Sequence, residues 1–135
     1  MTGKLSQQVQ DLLSKLVTAA DQRGPQAAAS FAALFAADAQ FIGGGHALHG
    51  REEIQASREK TWNGVKSREH TIRGLYQSTE NPEQFAFLGS LVVHRADAED
   101  AVSMRICANF DVKQNSGTLE ITRYEAFAEP PSTAK

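Results

Sequence analysis

The chain has 135 residues, 41% of them hydrophobic and 22% charged, which suits one domain with a core of its own. A net charge of −2, a pI near 6.1 and scattered lysines and arginines leave no basic footprint for nucleic acid or an anionic membrane. The single cysteine, Cys107, excludes an internal disulfide and a cysteine metal cluster and fits a cytoplasmic location.

The opening residues are polar and helical rather than a charged stub before an apolar run, so no secretory leader is expected. No apolar run approaches membrane-spanning length. Leu5, Val9, Leu12, Leu13, Leu16, Val17 and Ala20 fall on one helical stripe, predicting an amphipathic helix that ends near Gly24-Pro25. The alanine-rich stretch from Gln26 to Ala37 predicts a second, small-faced helix. Gln40-Phe41-Ile42 reads as extended, and Gly43-Gly44-Gly45 as a loop, because three glycines continue neither helix nor strand cheaply. A second short extended piece follows. A third helix is predicted from about Arg51, with an acidic first turn, to Asn63-Gly64.

From Glu69 the apolar period changes to two. Glu69–Ser78, Phe85–Arg95, Val102–Lys113 and Thr118–Ala128 read as four long strands joined by turn-rich segments, hence an antiparallel meander. Strands of this length curl, so helices followed by a curved sheet predict an α+β fold. Residues 1–129 form one domain in this reading, and 130–135, PPSTAK, a disordered tail.

The segment from Phe31 to Ile54, FAALFAADAQFIGGGHALHGREEI, resembles the opening of the NTF2-like superfamily, in particular its SnoaL-like branch. That branch includes ketosteroid isomerases, polyketide cyclases, limonene epoxide hydrolase, scytalone dehydratase and non-catalytic members. The resemblance implies three N-terminal helices packed in a strongly curved antiparallel sheet, a cone with a pocket between. It implies a small hydrophobic ligand or substrate and a homodimer through the convex sheet face. Double apolar coverage of Phe85–Val93 points to the same dimer.

His70 is the leading candidate for chemistry. It shares strand parity with Ile72, Gly74 and Tyr76, so an inward Ile72 carries His70 and Tyr76 inward too. In an apolar cup its charged form is disfavoured, which makes a neutral base near pH 7; the other reading is a structural histidine at a strand end. Arg58 interrupts the inward stripe of Ile54, Thr61-Trp62 and Val65. It needs a carboxylate such as Asp38 or an anionic or carbonyl ligand, unless its stem snorkels past the helix edge. Tyr124 shares parity with Thr122 and Ala126 and either donates to a substrate oxygen or is buried against the backbone. His46, after the glycines, can reach a pocket mouth. Phe41, Trp62, Tyr76, Met104, Ile106 and Phe110 complete a substrate-binding set. Of these, Trp62 also reads as core. His49 belongs to structure, and His46, His49 and Asp38 match no metal spacing.

The sequence departs from the characterised enzymes of the branch. Gly43 stands where a ketosteroid isomerase carries its base, the region of Ala108 where it carries an oxyanion-stabilising acid, and Leu16-Val17 near its tyrosine. Arg105 and Asp111 lie on the polar face of their strand, so the aspartate–arginine–aspartate set of limonene epoxide hydrolase is not recognisable. The expectation is therefore a cofactor-free cyclase, isomerase or dehydratase acting on a polyketide- or terpenoid-like carbonyl compound, with His70, Tyr124 and Arg58 as catalytic residues and no metal. The alternative is a non-catalytic ligand-binding or dimerisation module.

Overall fold

Helix α1, Gly3–Ala20, buries Val9, Leu12, Leu13, Leu16 and Ala20 of the apolar stripe read from the sequence, together with Ala19, and leaves Leu5 and Val17 half-buried, in a computed structural model that describes residues 3–133. The chain then turns at Gly24, whose φ of 107° suits a residue without a Cβ. Helix α2, Pro25–Ala32, starts on a proline that fills a first-turn position where no amide hydrogen is needed.

The alanine-rich helix was expected to continue to Ala37, but strand β1, Phe35–Gly43, begins four residues after the buried Phe31. Helix propensity in Phe35–Ala37 yields to pairing, since Phe35 sits opposite Ile121 and is fully buried. Gly44 and Gly45, both at positive φ, turn β1 back into β2, His46–His49, and helix α3, Gly50–Thr61, follows. The Glu53 carboxylate accepts the His49 backbone N–H, which satisfies one of the free amides at the start of α3. Arg51 anchors the same end, donating to the Phe35 carbonyl and pairing with Glu120 at 2.8 Å.

Strands β3 (Val65–Gln77), β4 (Gln84–Arg95), β5 (Val102–Asn115) and β6 (Thr118–Ala128) form the antiparallel meander. The sheet runs β2-β1-β6-β5-β4-β3, with β1 parallel to β6. The expected disordered tail is in part ordered. Ser132–Thr133 form a short strand β7 that continues along β5 beyond the end of β6, while residues 134–135 lie outside the described residues.

Register shifts at Lys66 and Arg73 in β3 and at Thr122 in β6 add one residue each against the neighbouring strand, which bends the sheet around the helices. The closed end is aromatic. Phe35, Phe85, Phe87 and Phe110 are each at most 2% exposed, and the ring of Tyr124 lies 6.1–6.4 Å from Phe35, Phe87 and Phe110. Burying each ring contributes about 1.5–3 kcal/mol, so this cluster fixes the apex and leaves the wider end hollow.

Candidate active site

The hollow between helices and sheet has a volume of about 690 Å³, within the range of small-molecule sites. Apolar side chains of both the helices and the sheet line it, among them Leu16 of α1, Phe31 of α2, and Phe87 and Leu91 of β4. Into it project His70 and Arg68 from β3, Arg58 from α3 and Tyr124 from β6.

His70 owes its place to the edge of the sheet. β3 is an edge strand, and its outer amides and carbonyls have no strand beside them. The turn between α1 and α2 covers that edge. Asp21 Oδ2 accepts the His70 backbone N–H at 2.8 Å, and Arg23 donates to the carbonyls of Val65 and Lys66. The other oxygen of Asp21 meets His70 Nδ1 at 2.5 Å. A carboxylate only accepts, so Nδ1 carries the proton and Nε2 keeps its lone pair.

The His70 and Asp21 side chains are 13% and 20% exposed. Desolvation lowers the His70 pKa from 6.5, more than the hydrogen bond and charge of Asp21 raise it, and the charges of Arg68 and Arg58 lower it further. The imidazole is therefore a neutral base oriented by a carboxylate.

Tyr124 is 8% exposed and stacks on Phe41, ring centroids 5.0 Å apart at 13°. Burial pushes its pKa above the ordinary phenol value, so it stays a hydrogen-bond donor. The Arg58 guanidinium lies 4.4 Å from the centre of the Phe31 ring, and desolvation first, then the charge of Arg68, lowers its pKa to about 10. It remains charged at neutral pH. Asp38 is not its partner; that carboxylate lies in a separate shallow cleft with Gln40, His49 and Thr122.

The structure gathers seven of the ten residues singled out from the sequence around this cavity: His70, Tyr124, Arg58, His46, Phe41, Met104 and Ile106. Three lie elsewhere. Tyr76 is 55% exposed, because the extra residue at Arg73 reverses inside and outside for the rest of β3; Leu75 packs inward in its place. Trp62 packs against Val65, Leu91 and Val93 with Arg23 over its ring, outside the cavity. Phe110 lies in the aromatic apex, 5.8 Å from Phe85. Thr122 is also displaced: the bulge there breaks the parity with Tyr124, whereas Ala126 does line the cavity.

Asp21 and Arg68 were not anticipated. The signal for Asp21 was present, since a carboxylate just past a helix C-terminus opposes the helix dipole and calls for a compensating partner. Arg68 stands two positions before His70, hence on its face of the strand, with no bulge between them.

No protein-family model and no curated protein matches the sequence. Solved structures do match the fold. A hexachlorocyclohexane dehydrochlorinase, LinA Type2, superposes with a TM-score of 0.80 at 13% identity over 97% of this chain and 89% of that one. A scytalone dehydratase-like protein from Novosphingobium aromaticivorans gives 0.81 at 11% identity over 97% and 88%. A protein with a ketosteroid isomerase-like fold from Catenulispora acidiphila, in complex with trimethylamine, gives 0.71 at 18% identity over 86% and 83%. The chain thus has the NTF2-like, SnoaL-like α+β fold. Among the described residues no helix is long and apolar enough to cross a membrane.

Proposed function

We propose that this chain is a cofactor-free acid–base enzyme, a lyase, isomerase or cyclase that removes a carbon-bound proton from a carbonyl compound of polyketide or terpenoid kind. The observation that supports this most directly is the Asp21–His70 pair in the wall of a cavity of about 690 Å³. A pocket far below roughly 300 Å³, filled by its own side chains, would favour a non-catalytic packed module instead.

In this reading His70 Nε2 takes the proton from the carbon alpha to the carbonyl. The electron pair of the C–H bond moves into an enolate, whose oxygen accepts hydrogen bonds from Tyr124 and Arg58. Each donor placed at a developing oxyanion lowers the barrier by about 3 kcal/mol. Asp21 holds the ring and stabilises the imidazolium that forms. Collapse of the enolate then either returns a proton at another carbon or expels a leaving group from the beta carbon with its bonding pair. The names of two structural neighbours, a dehydrochlorinase and a scytalone dehydratase-like protein, both denote eliminations and favour the second course. His46, Phe41, Met104 and Ile106 shape the pocket around the substrate.

The test is exchange of alpha protons of a panel of cyclic ketones, with and without a carboxylate substituent, in deuterated water, followed by proton NMR. Wild type should accelerate exchange of at least one ketone, and His70→Asn should lose that acceleration. Equal rates for the two proteins would remove His70 from the role. We further propose that the chain is cytoplasmic and pairs as a homodimer through the convex face of the sheet, where Leu88 and Val92 of β4 stand exposed.

A further inference from the structure

We propose that the substrate is a monoanionic organic acid whose carboxylate docks on Arg68 and Arg58 while its reacting carbon lies at His70; only the last clause rests on the proposed role of His70. Arg68 Nε is buried without a hydrogen-bond partner. An unmet buried donor costs about 1–3 kcal/mol, and more when it belongs to a charged group.

The carboxylate whose charge acts on Arg68 does not satisfy it. Asp21 spends one oxygen on the His70 ring and the other on the His70 backbone. Arg58, whose guanidinium lies over the Phe31 ring, also makes no hydrogen bond to another side chain or carbonyl among the described residues, though none of its nitrogens is both buried and unmet. Neither guanidinium joins an ion pair among the described residues.

Counting charge decides the class of ligand. Of the lining groups, Arg58 and Arg68 bring two positive charges and His70 none in its neutral form, while Asp21, hydrogen-bonded behind His70, brings one negative. Glu53 and Lys60 also line the cavity, but both are exposed and of opposite sign. One positive charge is left over in a wall that is largely apolar. A monoanion neutralises it. A dianion would carry an uncompensated charge into a poorly solvated site, and a neutral ligand would leave the guanidiniums unmet. A planar carboxylate also matches the fork of a guanidinium. The depressed pKa values of both arginines, caused first by burial, fit cations lacking their counter-ion.

The test compares octanoate, methyl octanoate and octyl phosphate by calorimetry on the full chain at pH 7. Octanoate should bind about ten- to a hundredfold more tightly than its ester, the loss expected when charge-assisted hydrogen bonds go unmade. The preference should vanish in Arg68→Met and survive in part in Arg68→Lys. Equal affinity of acid and ester for wild type would overturn the proposal without recourse to any variant. So would tighter binding of octyl phosphate than of octanoate, or an acid preference that persists in Arg58→Gln/Arg68→Met. His70→Asn should keep the acid preference, so the binding result and the proton-exchange result fail independently.

Discussion

Asp21 holds His70 from two directions, its Oδ1 at 2.5 Å from the ring Nδ1 and its Oδ2 at 2.8 Å from the backbone nitrogen. One side chain therefore seals the free edge of β3 and sets the imidazole tautomer. Asp21→Asn separates the two duties. An amide has one accepting oxygen and one donating nitrogen, so it cannot accept from both groups at once. If the oxygen caps the backbone, the amide nitrogen donates to Nδ1 and drives the proton to Nε2, which removes the lone pair that acts as base. Turnover should fall by about 10²- to 10⁴-fold, with ligand affinity nearly unchanged. Kinetics beside calorimetry would check this. A proportional loss of both would make Asp21 a folding residue alone.

The pH behaviour follows from the depressed His70 pKa. Burial is its largest cause, ahead of the opposing pull of Asp21. A reaction that needs neutral imidazole should keep its rate as pH drops through 6.5, the ordinary value, and decline only below it. For stability the unfolded chain binds this proton first as the solution is acidified. Stability is thus fully present above about pH 6.5 and is lost as pH falls toward the folded pKa. Urea midpoints measured from pH 8 to pH 5 should show this slope in wild type and a shallower one in His70→Asn. A rate limb centred above 6.5 would contradict the burial argument.

Much of this arrangement was legible before the coordinates. The change of apolar period from helical to alternating at Glu69, the GGG turn and the Gly-Arg-Glu start of α3 placed helices before a curled meander, and the strand over Thr118–Ala128 came out residue for residue. The concave face of β5 was legible too, because Ala108, Phe110 and Val112 alternate strictly with polar neighbours and are all buried. Two kinds of residue escaped. Tyr76 and Thr122 were misplaced because one extra residue reverses strand parity, and neither Arg73 nor Thr122 is of a type that announces a bulge. Asp21 escaped because its partner lies 49 residues away, a separation that no local pattern encodes.

On the convex face, Leu88 is 46% exposed and Val92 36%, on the same side of β4, and neither lines the cavity. Large apolar side chains in a row on a sheet face favour a covering partner. Light scattering should return twice the chain mass for wild type. Leu88→Asp, which would bury a carboxylate against its own copy, should shift the mass to that of one chain at micromolar concentration. A monomeric wild type would end the dimer proposal and leave the cavity untouched, since the concave side chains do not include Leu88.

Gly89 carries the most demanding steric constraint near the site. It faces Ile72 across β3 and β4, next to the bulge at Arg73. A Cβ on Gly89 would stand 2.3 Å from the Thr71 carbonyl oxygen and 3.4 Å from the Ile72 Cα. The obstacle is backbone, so no side-chain rotation relieves it, and β3 must move away from β4. Gly89→Ala should destabilise the fold by about 1–3 kcal/mol, the usual range for overpacking. The displaced segment includes Thr71, adjacent to His70, so the Asp21 contacts should lengthen as well. Chemical denaturation reads the first effect, and the proton-exchange rate per folded molecule reads the second. A stable Gly89→Ala with wild-type exchange would mean that the close approach of Thr71 to Gly89 does not set the position of the base.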